Sequence, residues 1–159
     1  MFIYSLRASS IKFVGAIALS LMALIALVAF VPHADDGTAM ADAKGIQYVY
    51  SGIKTHEDRV KFLSQFNIAV DGEAIACEEV KIPDTFDKVY LGYNEIQHEQ
   101  GMDIAKYKNK KVTRYTYRVS NYDGYDGEVW VNLLVYRDKV IGGDVCSADA
   151  NGFVHGFVK

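Results

Sequence analysis

Asp144 and His155 are the residues of this sequence best suited to acid–base chemistry. Asp144 follows Gly142 and Gly143 inside an apolar stretch, where a carboxylate is either buried against backbone donors or directed at a ligand. If His155 lies one strand away, the carboxylate and the imidazole could form an acid–base pair. No activated serine or cysteine is identifiable beside them, so the sequence offers a candidate pair without a complete catalytic constellation.

A loop rich in Asp and Gly supplies a second group of candidate ligands. Asn121, Asp123, Asp126 and Glu128 fall within eight residues, and their oxygens are of the kind that Ca²⁺ prefers. The spacing departs from that of an EF-hand loop, and Asn-x-Asp-Gly sequences also form ordinary hairpin loops. A metal site built from Asp123, Asp126 and Glu128 is therefore an alternative to a plain turn, and no cofactor is expected.

Basic and aromatic residues alternate between positions 106 and 118. Arg114 and Arg118 fall on one face of a predicted strand, and Trp130 joins them if the neighbouring strand pairs suitably. Such a surface could bind an anionic wall polymer or lipid headgroups. The alternative is a solvated strand face whose charges prevent edge pairing. The run comprises Lys106, Tyr107, Lys108, Lys110, Lys111, Arg114, Tyr115, Tyr117 and Arg118.

The two cysteines, Cys77 and Cys146, allow two interpretations. Outside a membrane they could form a disulfide that closes a loop of about 70 residues. They could equally be two small, buried apolar residues, which is the usual environment of a free cysteine. Neither belongs to a C-x-x-C motif, so a redox or zinc site is not indicated.

Two amphipathic helices precede the segments that carry most of these residues. The first is predicted from Thr55 to Phe66, with Thr55 as its cap and Asp58 completing a capping box. The second is predicted from a cap at Asp84 to about Gln100, and it ends before a glycine.

Extended segments are predicted by alternating apolar and polar residues. Arg137 and Asp138 are predicted to form a tight turn, and Gly142-Gly143 a bulge or a close backbone approach. The order predicts an α+β fold whose two helices pack on one face of a curled, mostly antiparallel sheet. The predicted strands are 67–70, 74–82, 111–119, 129–136, 139–146 and 153–157.

The run from Phe13 to Val31 contains 19 residues without a charge. As a helix it would span about 28 Å, which is close to the hydrocarbon thickness of a bilayer. Arg7 and Lys12 precede it and Asp35 and Asp36 follow it, so the positive-inside rule places the amino terminus in the cytoplasm. The alternative is a cleaved signal peptide, but the apolar core is longer than such peptides usually have.

The segment 1–31 is therefore expected to be a cytoplasmic tip and a single-pass transmembrane anchor. Residues 32–44 are small and polar and are expected to be a linker. Residues 45–159 are expected to form one extracytoplasmic domain, which is long enough to bury its own core. The net charge of −3 argues against nucleic acid as a partner.

Two short motifs stand out within the predicted domain: Tyr93-Asn94-Glu95-Ile96-Gln97 followed by Gln100-Gly101, and Ile141-Gly142-Gly143-Asp144. With the segments around them, they resemble an uncharacterised family, domain of unknown function family 4830, over most of residues 46–158. The resemblance implies an envelope protein of clostridia or related Gram-positive bacteria, often behind one N-terminal membrane segment. It implies no activity.

The sequence thus predicts a non-enzymatic, membrane-anchored extracytoplasmic domain that binds a protein or a cell-envelope component. The alternative is an envelope-associated, hydrolase-like or metal-dependent enzyme that uses Asp144 and His155, or the loop around Asp123. A concave pocket with converging polar groups near those residues would favour the enzyme, whereas a flat surface would favour the binding domain.

Overall fold

The computed structural model of the chain describes residues 40–41, 47–149 and 151–158, with only the backbone of 40–41. The predicted membrane segment Phe13–Val31 and most of the predicted linker lie outside these residues. Within the described part of the chain, no helix combines the length and the apolar composition needed to cross a membrane.

The described residues form an α+β domain, as predicted. Its elements in chain order are β1 (Met40–Ala41), β2 (Gln47–Tyr48), α1 (His56–Ser64), β3 (Ala76–Lys81), α2 (Lys88–Glu99), a 3₁₀ helix (Ile104–Tyr107), β4 (Lys111–Arg118), β5 (Val129–Tyr136), β6 (Lys139–Ser147) and β7 (Val154–His155). Strands β3-β4-β5-β6-β7 form an open antiparallel sheet in that order, while β1 pairs with β2.

Helix α1 begins where the capping pattern predicts. The Thr55 hydroxyl accepts a hydrogen bond from the Asp58 amide, and the Asp58 carboxylate accepts one from the Thr55 amide at 2.8 Å. These bonds satisfy two of the amides that a helix start leaves without a partner. The helix buries Phe62 and Leu63, which fixes the face that it turns toward the sheet.

Helix α2 begins three residues later than predicted. The Asp87 side chain, and not that of Asp84, caps the helix by accepting a hydrogen bond from the Tyr90 amide at 2.9 Å. Both aspartates suit an N-cap, so the sequence pattern could not separate them. Gly101 follows the helix with a φ of 71°, a left-handed conformation that glycine adopts without strain.

The hairpin between β5 and β6 confirms two further predictions. Arg137 and Asp138 form its turn, and both adopt positive φ angles, as a two-residue hairpin turn of this type requires. Leu134 pairs with Gly142 and Val135 with Val140, which leaves one residue of β6 unpaired. The unpaired residue of this β-bulge is Ile141, which lies next to Gly142 and three residues before Asp144.

The two helices lie against opposite faces of the sheet, which corrects the prediction of a single covered face. Phe62 of α1 packs in a core cluster with Tyr117 and Leu133. Tyr93 of α2 packs against a second cluster that contains Val112 and Leu134. Because neighbouring positions along a strand point to opposite faces, these two clusters lie on opposite sides of the sheet. Strand β5 is apolar on both faces, and its burial pattern reflects this two-sided cover.

Candidate functional site

A pocket of about 340 Å³ lies between α2 and the sheet face that carries Leu134. Its volume falls within the range of small-ligand sites, which is about 300–1,000 Å³. Most of its walls are aliphatic side chains from β3, α2, the 3₁₀ helix and β5, namely Val80, Ile82, Val89, Ile104 and Leu134. The polar residues of the pocket include Asp144, Asn132, Tyr93 and Arg114.

Asp144 is buried, with 6 % of its surface exposed, and neutral groups hold its carboxylate. The Tyr93 hydroxyl donates a hydrogen bond to Oδ1 at 2.8 Å, and Asn132 Nδ2 donates one to Oδ2 at 2.9 Å. The Thr116 hydroxyl donates to Asn132 Oδ1 at 2.7 Å, which fixes the orientation of that amide. A carboxylate has about four acceptor positions, so this network leaves acceptor capacity for a ligand.

No cation of the described residues forms an ion pair with Asp144. The negative charge of Asp144 therefore shifts the pKa values of neighbouring groups. Burial, and then the charge of Asp144, raise the pKa of the Tyr93 hydroxyl well above its ordinary value. Burial and Asp144 likewise raise the pKa of the Cys146 thiol to about 11. Both groups consequently keep their protons at neutral pH, and Tyr93 acts as a hydrogen-bond donor.

Arg114 reaches the same pocket from β4. One of its terminal nitrogens forms an ion pair with Glu78 at 2.6 Å, so its charge is already balanced. Its Nε atom is buried and has no hydrogen-bond partner among the described residues. A buried N–H without a partner is costly, so an acceptor that a ligand brings to Arg114 would relieve this cost.

Two glutamines of α2 and the turn after it fix the helix to the bulged strand behind the pocket. Gln97, which is fully buried, accepts a hydrogen bond from the Gly143 amide at 2.8 Å. Gln100 donates to the Gly143 carbonyl at 3.1 Å and accepts from the Phe157 amide at 2.6 Å. Gly143 therefore has both of its backbone polar groups bound by glutamine side chains, and a Cβ there would collide with Phe157.

The predicted pair of Asp144 and His155 does not form. His155 pairs with Val145, so its side chain points to the face opposite that of Asp144. Its imidazole contacts the Tyr122 hydroxyl at 2.8 Å and stacks against Phe153. The acid–base hypothesis failed because it depended on the register between β6 and β7, which the sequence does not show.

Three of the six cations of the basic run form ion pairs with acidic residues. Besides the Arg114–Glu78 pair, Arg118 contacts Glu128 at 2.5 Å, and Lys111 contacts Glu79 at 2.7 Å. Arg118 pairs directly with Trp130 across β4 and β5, so these residues share one face with Arg114, as predicted. The ion pairs oppose the predicted use of this surface for an anionic polymer, because they weaken its positive field.

The acidic loop connects segments of the fold. Asn121 accepts a hydrogen bond from the Ala69 amide and donates one to the Asn67 carbonyl. Glu128 is engaged by Arg118. Across the described residues, no three His, Cys, Asp or Glu side chains converge into a group that could hold a metal ion. The structure thus does not assemble the calcium alternative at Asp123, Asp126 and Glu128.

Both cysteines are free thiols, so the disulfide interpretation is wrong for this fold. Cys77 lies on β3 and Cys146 on β6, and two strands separate them. Three strand spacings amount to about 14 Å, which exceeds the Cα separation that a disulfide allows. The alternative of two buried cysteines is also wrong for Cys77, which is exposed on the edge strand.

The two motifs noted in the sequence meet at the pocket and directly behind it, and Tyr93 and Asp144 of these motifs line the pocket itself. Tyr93 and Gln97 belong to the first motif, Gly143 and Asp144 to the second, and they contact one another across the helix–sheet interface. The sequence model of a protein family, Domain of unknown function (DUF4830), matches residues 62–145. The chain belongs to this family. The match contains the whole of α2 and the pocket-forming parts of the sheet, whereas β7 and His155 lie outside it.

The DUF4830 description assigns no activity. Neither a curated protein nor a solved structure matches the chain. The function of this DUF4830 protein must therefore be argued from the geometry of its pocket.

Three residues of that geometry were missed as site residues by sequence reasoning. Tyr93 and Gln97 fall within the predicted second helix, and Asn132 falls within the predicted strand 129–136. Gln97 and Asn132 each carried a signal. A glutamine on a buried helix stripe requires a hydrogen-bond partner, and so does an asparagine inside a strand that is otherwise apolar.

Proposed function

We propose that this DUF4830 protein is a membrane-anchored, extracytoplasmic binding protein that holds a protein or another envelope component in the pocket beside Asp144. The observation that carries the proposal is a concave, mostly aliphatic pocket whose inner end presents a buried carboxylate held by Tyr93 and Asn132. Such a site combines apolar surface for affinity with a few fixed polar groups for specificity.

The proposed location of the protein rests on the sequence of the segment 13–31. Its length and uncharged composition suit a transmembrane helix, and the basic residues before it favour a cytoplasmic amino terminus. This topology would place the pocket outside the cytoplasmic membrane, where other proteins and wall polymers are the available partners. The balanced charges around Arg114 and Arg118 favour a protein over an anionic polymer.

Binding is favoured over catalysis by the protonation states around Asp144. A concave pocket with polar groups is present, and this is the feature expected of an enzyme. However, the Tyr93 hydroxyl and the Cys146 thiol remain protonated at neutral pH, because burial and the charge of Asp144 raise both pKa values. Hydrolysis through a serine or cysteine nucleophile requires a general base beside that group, and no histidine, serine or cysteine is among the described residues that line this pocket.

Photo-crosslinking in intact cells tests the proposal. A photoreactive amino acid replaces Val89, which lies at the rim of the pocket and is 77 % exposed. The matched control replaces Val49, which is 55 % exposed and lies outside the pocket. We expect a discrete adduct from position 89 that is lost when Asp144→Asn is added, and no such adduct from position 49. Identical adduct patterns from both positions, or none from either, would refute the proposal.

A further inference from the structure

Two charged residues of the pocket, Asp144 and Arg114, differ in the interactions that they leave open to a ligand. Asp144 has no ion-pair partner among the described residues, so it contributes an uncompensated negative charge at the inner end of the pocket. Arg114 is neutralised by Glu78 but keeps a buried Nε–H donor. A complementary ligand would therefore place a cation at Asp144 and a neutral hydrogen-bond acceptor at Arg114. Lys81 lies at the exposed edge, where solvent screens its charge.

The amino terminus of a polypeptide combines these two groups on one residue. Its α-ammonium is protonated at neutral pH, since the pKa of that group is about 8. The carbonyl of its first peptide bond is a neutral acceptor two bonds farther along the chain. An aliphatic side chain on the same residue would fill the wall formed by Ile82, Ile104 and Leu134.

We infer that the pocket captures the free amino terminus of a partner protein whose first residue is aliphatic, with the ammonium at Asp144 and the first carbonyl at Arg114. This inference rests on the proposed function and names the partner chemistry for the same site. Exposed apolar residues at and beside the pocket rim, Val89, Tyr90 and Leu91, offer contacts to the residues that follow.

Other ligands satisfy the pocket less completely. A lysine side chain would supply the cation but leave the Arg114 Nε without an acceptor. A carboxylate or phosphate would be repelled by the negative charge of Asp144, because no cation of the described residues forms an ion pair with it. A free amino acid would bring a carboxylate to Arg114, whose charge is already paired with Glu78. Among these ligands, the peptide amino terminus alone matches the cation, the neutral acceptor and the apolar wall together.

The test uses purified full-length protein in lipid nanodiscs and a fluorescent pentapeptide amide with an amino-terminal leucine followed by alanines. The matched probe is the same peptide acetylated at its amino terminus, which removes the charge and keeps the side chain. We expect saturable binding of the free peptide by fluorescence anisotropy. Acetylation should weaken it by at least about tenfold, as expected for the loss of a charge-assisted hydrogen bond.

Variants assign the effect to the two residues. Asp144→Asn should reduce the affinity for the free peptide to the level of the acetylated one, and Arg114→Gln should reduce it severalfold. Arg118→Gln is the matched control, because it lies on the same strand and sheet face with its own acidic partner but outside the pocket. It should bind as the unaltered protein does. Melting temperatures of all three variants establish that each is folded.

Each remaining outcome decides against the inference. Equal binding of the acetylated peptide would overturn it without any variant, and so would a folded Asp144→Asn protein that binds normally. If free leucine competes as well as the peptide does, the ligand is a small metabolite and not a partner protein. If the peptide fails to bind while the crosslink at position 89 persists, only the inference fails. If both fail, the proposed function fails with it.

Discussion

Gly143 lies where β6, α2 and the carboxy-terminal segment meet, and no larger residue fits there. A Cβ atom at this position would overlap the Phe157 ring and the backbone oxygen of Asn132. We therefore expect Gly143→Ala to destabilise the protein by about 1–3 kcal/mol, the usual cost of overpacking a core. Urea unfolding followed by circular dichroism measures this change.

Gly92 provides the control at the same scale. It lies within α2, and a Cβ added there would meet no atom within 4 Å. Gly92→Ala should stabilise the protein by about 0.5–1 kcal/mol, because alanine has the higher helix propensity. If both substitutions changed stability alike, the close approach at Gly143 would not be the cause.

At the residue scale, the sequence predicted the local environment of a residue better than its contacts with distant parts of the chain. The close backbone approach at Gly142-Gly143 was predicted correctly, because a glycine inside a strand usually marks a bulge or a site where another group comes close to the backbone. Asp144 was predicted to be either buried against backbone donors or directed at a ligand; it is buried, but side chains hold its carboxylate. Its partners could not be derived, since Tyr93 and Asn132 reach it only through the packing of α2 and the pairing of β5 with β6.

The capping box of α1 makes a prediction at the scale of the element. Hydrogen bonds from the amides of Thr55 and Lys54 hold the pKa of the Asp58 carboxyl below its ordinary value. A lowered pKa in the folded state means that ionised Asp58 stabilises the fold fully above the pKa of an unfolded aspartate, about 4. That contribution is lost as the pH falls through the folded pKa.

Asp58→Asn should accordingly lower the free energy of unfolding at pH 7, and the difference should shrink as the pH drops below about 4. Urea titrations between pH 2 and 7 would follow it. Asp84→Asn is the control, because that aspartate was predicted as a helix cap but does not cap α2. A constant difference across the range for Asp58→Asn would show that the charge is not involved.

Elements were predicted well in type and less well in position. The alternation of β4 and β5 and the turn at Arg137-Asp138 are local patterns, and the structure confirms them. The placement of the helices on opposite faces was missed, although β5 carried the signal. Its residues are apolar at successive positions, including Leu133 and Leu134, and a strand with two apolar faces requires cover on both sides.

At the scale of the whole molecule, the proposed topology predicts which thiol can be labelled from outside. Cys77 is exposed, whereas burial and Asp144 raise the pKa of Cys146 to about 11 and keep it unreactive. A membrane-impermeant maleimide at pH 7 should therefore label intact cells at Cys77 alone. Mass spectrometry of the labelled peptide checks this expectation.

Two variants complete the labelling experiment. Cys77→Ser should abolish labelling of intact cells. Adding Ser5→Cys to that variant should restore labelling only after the cells are permeabilised, since position 5 is predicted to be cytoplasmic. Labelling of Cys77 that also requires permeabilisation would place the domain inside the cell and contradict the proposed address.

Gln97 and Gln100 fix the carboxy-terminal end of α2 to the sheet. Both glutamines hold the carboxy-terminal half to Gly143, while Val89 and Leu91 near the other end are open to solvent. The width of the pocket beside Asp144 is thus set by contacts between α2 and β6, whereas the first turn of the helix, around Val89, is left to meet solvent or a partner.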